Sequence, residues 1–402
     1  MIKYNVNNEI VRHFDSDAPV EIPETYREQP FRAMWVSNVV NIDLPVITGD
    51  GLAYKAEITK LLDTCDAYNI NAIFFQVRTT NDAFYQSKLN PISRFLTGEE
   101  GKEPPFDVLA HVIGEAKRRD IEVHAWCNPY RISADGKLSQ EEYLATCDPL
   151  NFAKRHPDAI VKDDKGKLIL NPARSDVKQF IIDSMVELAE NYDIAGIHFD
   201  DYFYPYGSLD ETQNDRAEYD QYKHPDETLD DFRRRQVTDV IAGVHKAVKN
   251  VDPKLRFGIS PFGIWKTKAS DPRGANVDPR CGETYFNQYA DSYLWVKEGY
   301  MDYVVPQVYW HFNHHLAPFA DLCDWWDDLI AGTGVDLYIG HGAYRLGSDG
   351  DWTNPDEITD QVKYANQKPN VKGNVFFTYH TFIDDNQVAE GMRRLKRLLA
   401  KD

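Results

Sequence analysis

The sequence predicts a (β/α)8 barrel on three observations. Eight short apolar runs recur along the 402 residues, with amphipathic helical stretches between them. Polar and aromatic side chains gather at the carboxyl ends of those runs, where barrels assemble their sites. The Gly-rich phosphate turn that would follow the first strand of a doubly wound sheet is absent. Residues 31–402 read as one barrel domain, since such barrels run to more than ~400 residues with insertions. Residues 1–30 read as a polar N-terminal extension packed under the barrel.

The strands are taken in order. FRAMWVS from Phe31 is the first, INAIFFQVR from Ile70 the second and IEVHAWCNPYR from Ile121 the third. IAGIHFDDYFYP from Ile194 is the fourth and LRFGISPFG from Leu255 the fifth. YVVPQVYW from Tyr303, LYIGHGAYRLG from Leu337 and GNVFFTYHTF from Gly373 complete the set. Helical periodicity fills DVLAHVIGEAKRRD at Asp107 and VKQFIIDSMVELAENY at Val177. It returns over Thr284–Lys297, Phe319–Ile330, Asp356–Asn366 and Gln387–Leu399. Long connections leave the carboxyl ends at Thr79–Pro105, Ile132–Ser175, Tyr206–Asp230 and Phe262–Glu283, the face that carries function in barrels.

Acidic residues outnumber basic ones 64 to 45, a net charge of -19 that repels phosphate backbones and anionic lipid. Nucleic acid and membrane are therefore not expected as partners. No run of ~18 apolar residues is present for a transmembrane helix, and the start lacks a secretory leader pattern. The sequence as it stands reads as cytoplasmic, or as secreted or cell-envelope if a signal peptide was removed. The 5 cysteines are sparse and without CxxC spacing, which suits reduced thiols.

Strand side chains alternate between the helices and the barrel axis. Ile73, Phe75 and Val77 form an outward apolar row, leaving Gln76 and Arg78 inward. Val123, Ala125 and Cys127 oppose His124, Trp126 and Asn128, and Ile197 and Phe199 oppose His198 and Asp200. Val304, Pro306 and Val308 oppose Gln307, Tyr309 and His311. Charged and amide groups converging on the axis are costly to bury without a function.

Asp200–Asp201 is the candidate catalytic pair. Glycosidases divide labour between a protonated and an ionised carboxyl, and adjacency raises one pKa by repulsion. Aromatics near strand ends suit the C–H faces of sugar rings: Trp35, Trp126, Tyr130, Tyr202, Tyr204, Trp265, Tyr309, Trp310 and Tyr344. Two other readings stay open. A carbohydrate-binding barrel would keep the aromatics without needing the acid pair. HFDDY together with His311 and His315 resembles the metal site of polysaccharide deacetylases, although their Asp pair lies on the first strand. No metal or cofactor is expected. GxSxG, HExxH and Walker patterns are absent, and MWVSN on the first strand lacks the HxH of amidohydrolases.

FRAMWVS, QVRTTNDAFY, HAWCNPYR, GIHFDDYFYP, ISPFGIW and PQVYW together resemble glycosyl-hydrolase-like family 10. The resemblance runs from about Phe31 to the end. It implies a barrel acting on bacterial glycans, with members that cleave peptide-free peptidoglycan strands. Arg78, Asp82, Asn128, Arg131 and Asp271 match family positions. GIHFDDYFYP is also similar to the fourth-strand motif of family 18 chitinases, with Asp200 at the carboxylate that orients the acetamido group. Tyr202 replaces their acid Glu. Adjacent Asp–Asp further resembles the family 84 hexosaminidases, a likeness that implies Asp200 as orienting carboxylate and Asp201 as general acid. Gln307 and Tyr309 fall where the chitinase sixth-strand Tyr binds the acetamido oxygen. One departure stands out: TYHTF ends the eighth strand where a peptidoglycan-cleaving relative carries an acidic residue. The resemblance thus implies an oligo- or polysaccharide substrate, and the strand-end aromatics and the inward-facing His198 are its candidate contacts.

Overall fold

The computed structural model describes residues 1–383 and 389–400. Eight parallel strand positions close on themselves. They are β1 (Phe31–Val36), β2 (Ala72–Arg78), β3 (Glu122–Cys127), β6 (Gly196–Phe199), β7 (Arg256–Ile259), the broken pair β8 (Tyr303–Val304) and β9 (Gln307–Val308), β10 (Asp336–His341) and β11 (Val371–Phe376). Closure comes from β11 on β1, with Phe31 opposite Gly373. The antiparallel hairpin β4 (Ile160–Lys162) and β5 (Leu168–Leu170) stands apart on the loop after β3. The (β/α)8 expectation holds.

The sixth strand breaks at Pro306, which lacks an N–H. The ladder nevertheless runs through it: Val305 N donates to Ile259 O at 2.8 Å, and Gln307 N to Pro261 O at 3.0 Å. Alternation sorts two cores. Phe31, Trp35, Phe74, Trp126, Tyr303, Tyr338 and Val375 fill the barrel, while Ile73, Phe75, Ile197, Phe199 and Val304 meet the helices. Glycine on the strands makes room for the inner rings. A Cβ on Gly258 would sit 2.1 Å from the Tyr303 ring, and one on Gly196 2.4 Å from His124 Nδ1.

Several expectations are corrected. The strand from Gly373 begins at Val371, and TYHTF is helical from Tyr379, in a helix that runs to Ile383. Thr284–Lys297 splits into Thr284–Asn287 and Ser292–Lys297, because Tyr289 takes a left-handed φ of 53° and Asp291 caps the second helix. The last helix is described over Ala389–Leu399, and its expected start at Gln387 lies outside the described residues. Residues 3–14 pack on the helices of the last repeats, while Gln29 Nε2 donates to Asn366 O at 3.0 Å and Pro30 O accepts from Asn71 Nδ2 at 2.7 Å at the foot of the barrel. Lys3 pairs with Glu357 at 3.1 Å and Asp360 at 2.6 Å on the helix Glu357–Asn366, and Phe14 N donates to Asp321 at 3.1 Å on the helix Phe319–Ile330. Among the described residues no helix is long and apolar enough to cross a membrane.

Candidate active site

Asp200 and Asp201 follow the last residue of β6 and are nearly buried, 3% and 4% exposed. Their surroundings differ. Asp200 accepts from Trp126 Nε1 at 3.1 Å and from Asn128 Nδ2 at 3.0 and 3.1 Å. Asn128 is itself fixed, its Oδ1 accepting from Arg131 N at 2.8 Å. Asp201 turns the other way, to the Gln307 amide on β9. Gln307 is steadied by donating to Ser260 O at 2.9 Å.

Burial raises both carboxyls, and the opposing effects fall mainly on Asp200. The Arg131 charge and the donors on Asn128 and Trp126 hold Asp200 back. Asp201 is pushed up to about 7, first by burial and then by the Asp200 charge beside it. Burial also lifts the Tyr202 hydroxyl to about 12, with Asp201 adding to the shift. The pair thus separates into a carboxyl that keeps its proton near neutrality and a partner better able to carry charge.

Aromatic rings frame the mouth on two sides. Tyr202 contacts Tyr206, Tyr206 contacts Phe262, and Phe262 contacts Trp310, with centroids 5.5, 6.2 and 5.4 Å apart. Opposite, Tyr309 lies 6.0 Å from both Tyr344 and Phe377 and 6.4 Å from Trp35. Tyr202 is 42% and Tyr344 47% exposed, and Arg131 stacks its guanidinium 4.4 Å over Tyr202. Trp126, Asn128, Arg131, Asp200, Asp201, Tyr202, Gln307, Tyr309, Trp310 and Tyr344 therefore come together.

Other expected residues lie elsewhere. A register shift between Gln76 and Arg78 sets Arg78 opposite Cys127, on the helix side. There Arg78 is fully buried, donating to Asn128 O, Pro129 O and Asn81 Oδ1, with Phe180 5.5 Å from its guanidinium. Asp82 is buried too, accepting from the backbone and hydroxyls of Thr79 and Thr80. These two shape the turns under the mouth and do not reach it. Tyr130 is fully buried in the outer core, and Tyr204 donates to buried Asp215 at 2.9 Å. His198 sits deeper on the axis, where Trp35 Nε1 donates to its Nε2 at 3.3 Å beside Ser260 Oγ at 2.9 Å. Burial lowers its pKa well below the usual value, so it is neutral.

Trp265 and Asp271 form a separate cluster. Trp265 is 1% exposed, stacked 4.6 Å from Tyr293 and donating to Asp291 at 2.8 Å. Asp271 is held by Lys266 at 3.2 Å and Arg273 at 2.7 Å. His311 lies 3.7 Å from Asp351 and against Trp352, away from the acid pair. Among the described residues no three His, Cys, Asp or Glu side chains converge as metal ligands. At the eighth strand end a buried carboxylate arrives from the first loop instead. Asp43 accepts from Ser37 N at 2.6 Å, from His380 N at 2.7 Å and from the Thr378 hydroxyl. Tyr206, Phe262 and Ser260 were not singled out by sequence. The aromatic run ending at Tyr206 carried a signal for the first, and SPFG for the other two.

The glycosyl hydrolase-like 10 family model matches residues 30–355. Glycosyl hydrolase YngK of Bacillus subtilis is 36% identical over 87% of this chain and 68% of its own length. Glycosyl hydrolase DigH of Escherichia coli K12 is 32% identical over 87% of this chain and 83% of its own length. Among solved structures, the glycoside hydrolase domain of PgaB (BpsB) from Bordetella bronchiseptica superposes with a TM-score of 0.58 at 13% identity, covering 91% of this chain and 99% of that domain. Alpha-L-fucosidase isoenzyme 2 of Paenibacillus thiaminolyticus gives 0.55 at 12% identity over 91% of this chain, which spans 49% of the fucosidase. These two likenesses concern the fold. With the family match over most of the chain and two relatives above 30% identity, the chain belongs to the glycosyl hydrolase-like 10 family.

Proposed function

We propose that this chain is a glycoside hydrolase that cleaves an N-acetylhexosamine glycan, peptidoglycan-derived, with the substrate acetamido group as nucleophile. The observation that carries the reading is the unequal environment of Asp200 and Asp201. Asp201 keeps its proton near neutral pH and gives it to the glycosidic oxygen as the bond to the anomeric carbon breaks. The acetamido carbonyl oxygen bonds to that carbon, and positive charge spreads onto the acetamido nitrogen. Asp200, ionised and fixed by Trp126 and Asn128, orients the N–H and stabilises the charge. Water then attacks the anomeric carbon, Asp201 takes its proton, and the acetamido group is released. Gln307 and Tyr309 border Asp201, and the exposed rings offer platforms for neighbouring sugars.

The test pairs two variants with two substrates, a natural glycan and an activated aryl glycoside whose leaving group needs no proton. Asp201→Asn is expected to lose ~10²–10⁴ in rate on the glycan and far less on the aryl substrate. Asp200→Asn should damage both to a similar degree. Equal sensitivity of the two variants, or full activity on sugars without an acetamido group, would overturn the assignment.

A further inference from the structure

Beyond Tyr202 the mouth continues into a cavity of about 370 Å³. Val39 and Val40 line it, as do Tyr202 and Tyr206, with Arg131, Lys165 and Lys167 adding three cations. The lysines ride on the turn between β4 and β5, and that turn is held in place. A Cβ on Gly136 would lie 2.0 Å from Lys165 O, and Asp164 N donates to Ser208 O at 2.9 Å. The one carboxylate in the lining makes its hydrogen bonds to backbone and pairs with neither lysine Nζ. Asp163 Oδ1 accepts from the backbone N–H groups of Lys165 at 2.9 Å and Lys167 at 2.7 Å, closing the turn. Lys167 also feels Asp135, which is already paired with Lys137 at 2.8 Å.

Among the described residues no ion pair or hydrogen bond reaches either lysine Nζ, and Arg131 Nη1 is buried without a partner. Two lysines without an ion pair and the unpartnered Nη1 of Arg131, whose charge also bears on Asp200, gather positive charge at this cavity on a chain of net charge -19. Apolar and aromatic walls suit a sugar ring, and a guanidinium fixed in plane by Tyr202 suits a planar carboxylate. We infer that this cavity is a subsite for a carboxylate-bearing sugar of the glycan, with Arg131, Lys165 and Lys167 as its specificity residues. The inference rests on the hydrolase reading for its substrate. The acidic surface does not oppose it, because screening over ~8 Å at physiological salt leaves the cations to act at contact.

The experiment measures binding by calorimetry to the full chain carrying Asp201→Asn. One arm uses peptide-free peptidoglycan oligosaccharides, whose carboxylate is a lactyl ether, and the other hyaluronan oligosaccharides, whose carboxylate is a uronate. Each is compared with the same sugar after reduction of the carboxylate to an alcohol. The intact form should bind about tenfold tighter in at least one arm, the sum of two or three exposed ion pairs. The arm that discriminates identifies where the carboxylate sits. Lys165→Gln with Lys167→Gln should bring the discrimination within about twofold. Equal or absent binding of intact and reduced sugars in both arms overturns the inference, as does undiminished discrimination in the double variant and in Arg131→Gln. Wild-type cleavage of the same sugars separates the two claims. Cleavage indifferent to the carboxylate removes the subsite and leaves the hydrolase. A binding preference without cleavage removes the hydrolase and leaves the subsite.

Discussion

Asp201 links turnover to stability through one proton. As the general acid it must be protonated, so kcat/KM should fall on an alkaline limb near its pKa of about 7. The same shift weakens the fold at high pH. Between about pH 4 and pH 7 the folded chain holds a proton at Asp201 that the unfolded chain has released, so stability declines as pH rises through that window. A shift of this size is worth up to about 4 kcal/mol. Asp201→Asn should therefore melt several degrees above wild type at pH 8 and near it at pH 4.5. A melting difference that stays constant with pH would assign the raised carboxyl elsewhere. Asn128→Ala tests the partner. It strips donors from Asp200, so the acid limb of the rate profile should move to higher pH and kcat should drop by roughly tenfold or more. Sequence alternation placed Trp126, Asn128, Asp200 and Gln307 at the mouth because their strands keep register to the end. It misplaced Arg78, because a single bulged residue reverses the faces beyond it.

The strands were legible as elements because parallel strands buried on both sides read as apolar runs. The hairpin of β4 and β5 was not. Its strands have three residues each, too short for periodicity, and DDKGK between them reads as a plain polar turn. Yet its position is set by close backbone approach. Gly136→Ala would press a methyl group onto Lys165 O and should cost ~1–3 kcal/mol. The expected sign is faster amide exchange confined to residues 160–170, with the β1–β3 amides unchanged. Exchange that rises evenly across the barrel would mean that the hairpin is part of the global unit and not a locally clamped one. Helix boundaries show the same division. Asp107, where the helical stretch was read to begin, accepts from Ala110 N at 3.0 Å, whereas the break at Tyr289 is marked only by the cap Asp291 inside a continuous helical pattern.

At the scale of the molecule, residues 1–30 act as a strap across the last repeats. Lys3 is 5% exposed and Glu357 fully buried, so Lys3→Met leaves an unpaired carboxylate inside. The expected cost is ~3–5 kcal/mol, read as a lowered denaturant midpoint, with turnover at low temperature retained. A midpoint within error of wild type would show that the Phe312 N–H and the Gln361 amide suffice to stabilise the Glu357 carboxylate. The strap's polar composition was plain in the sequence, but its resting place was not, because a lysine's partners lie more than three hundred residues away.

That distance has a consequence during synthesis. β1 pairs with β11, and the strap grips the helix Glu357–Asn366, so neither contact can form until the last βα units leave the ribosome. At ~5–20 residues per second, the beginning of the chain waits roughly 20–70 s for its partners. Throughout that interval one margin of β1 carries unmet backbone donors and acceptors beside Phe31 and Trp35. The nascent barrel is thus most open to mispairing just before it closes, and a chaperone that shields the Phe31–Val36 margin would act on the vulnerable end of an otherwise self-sealing fold.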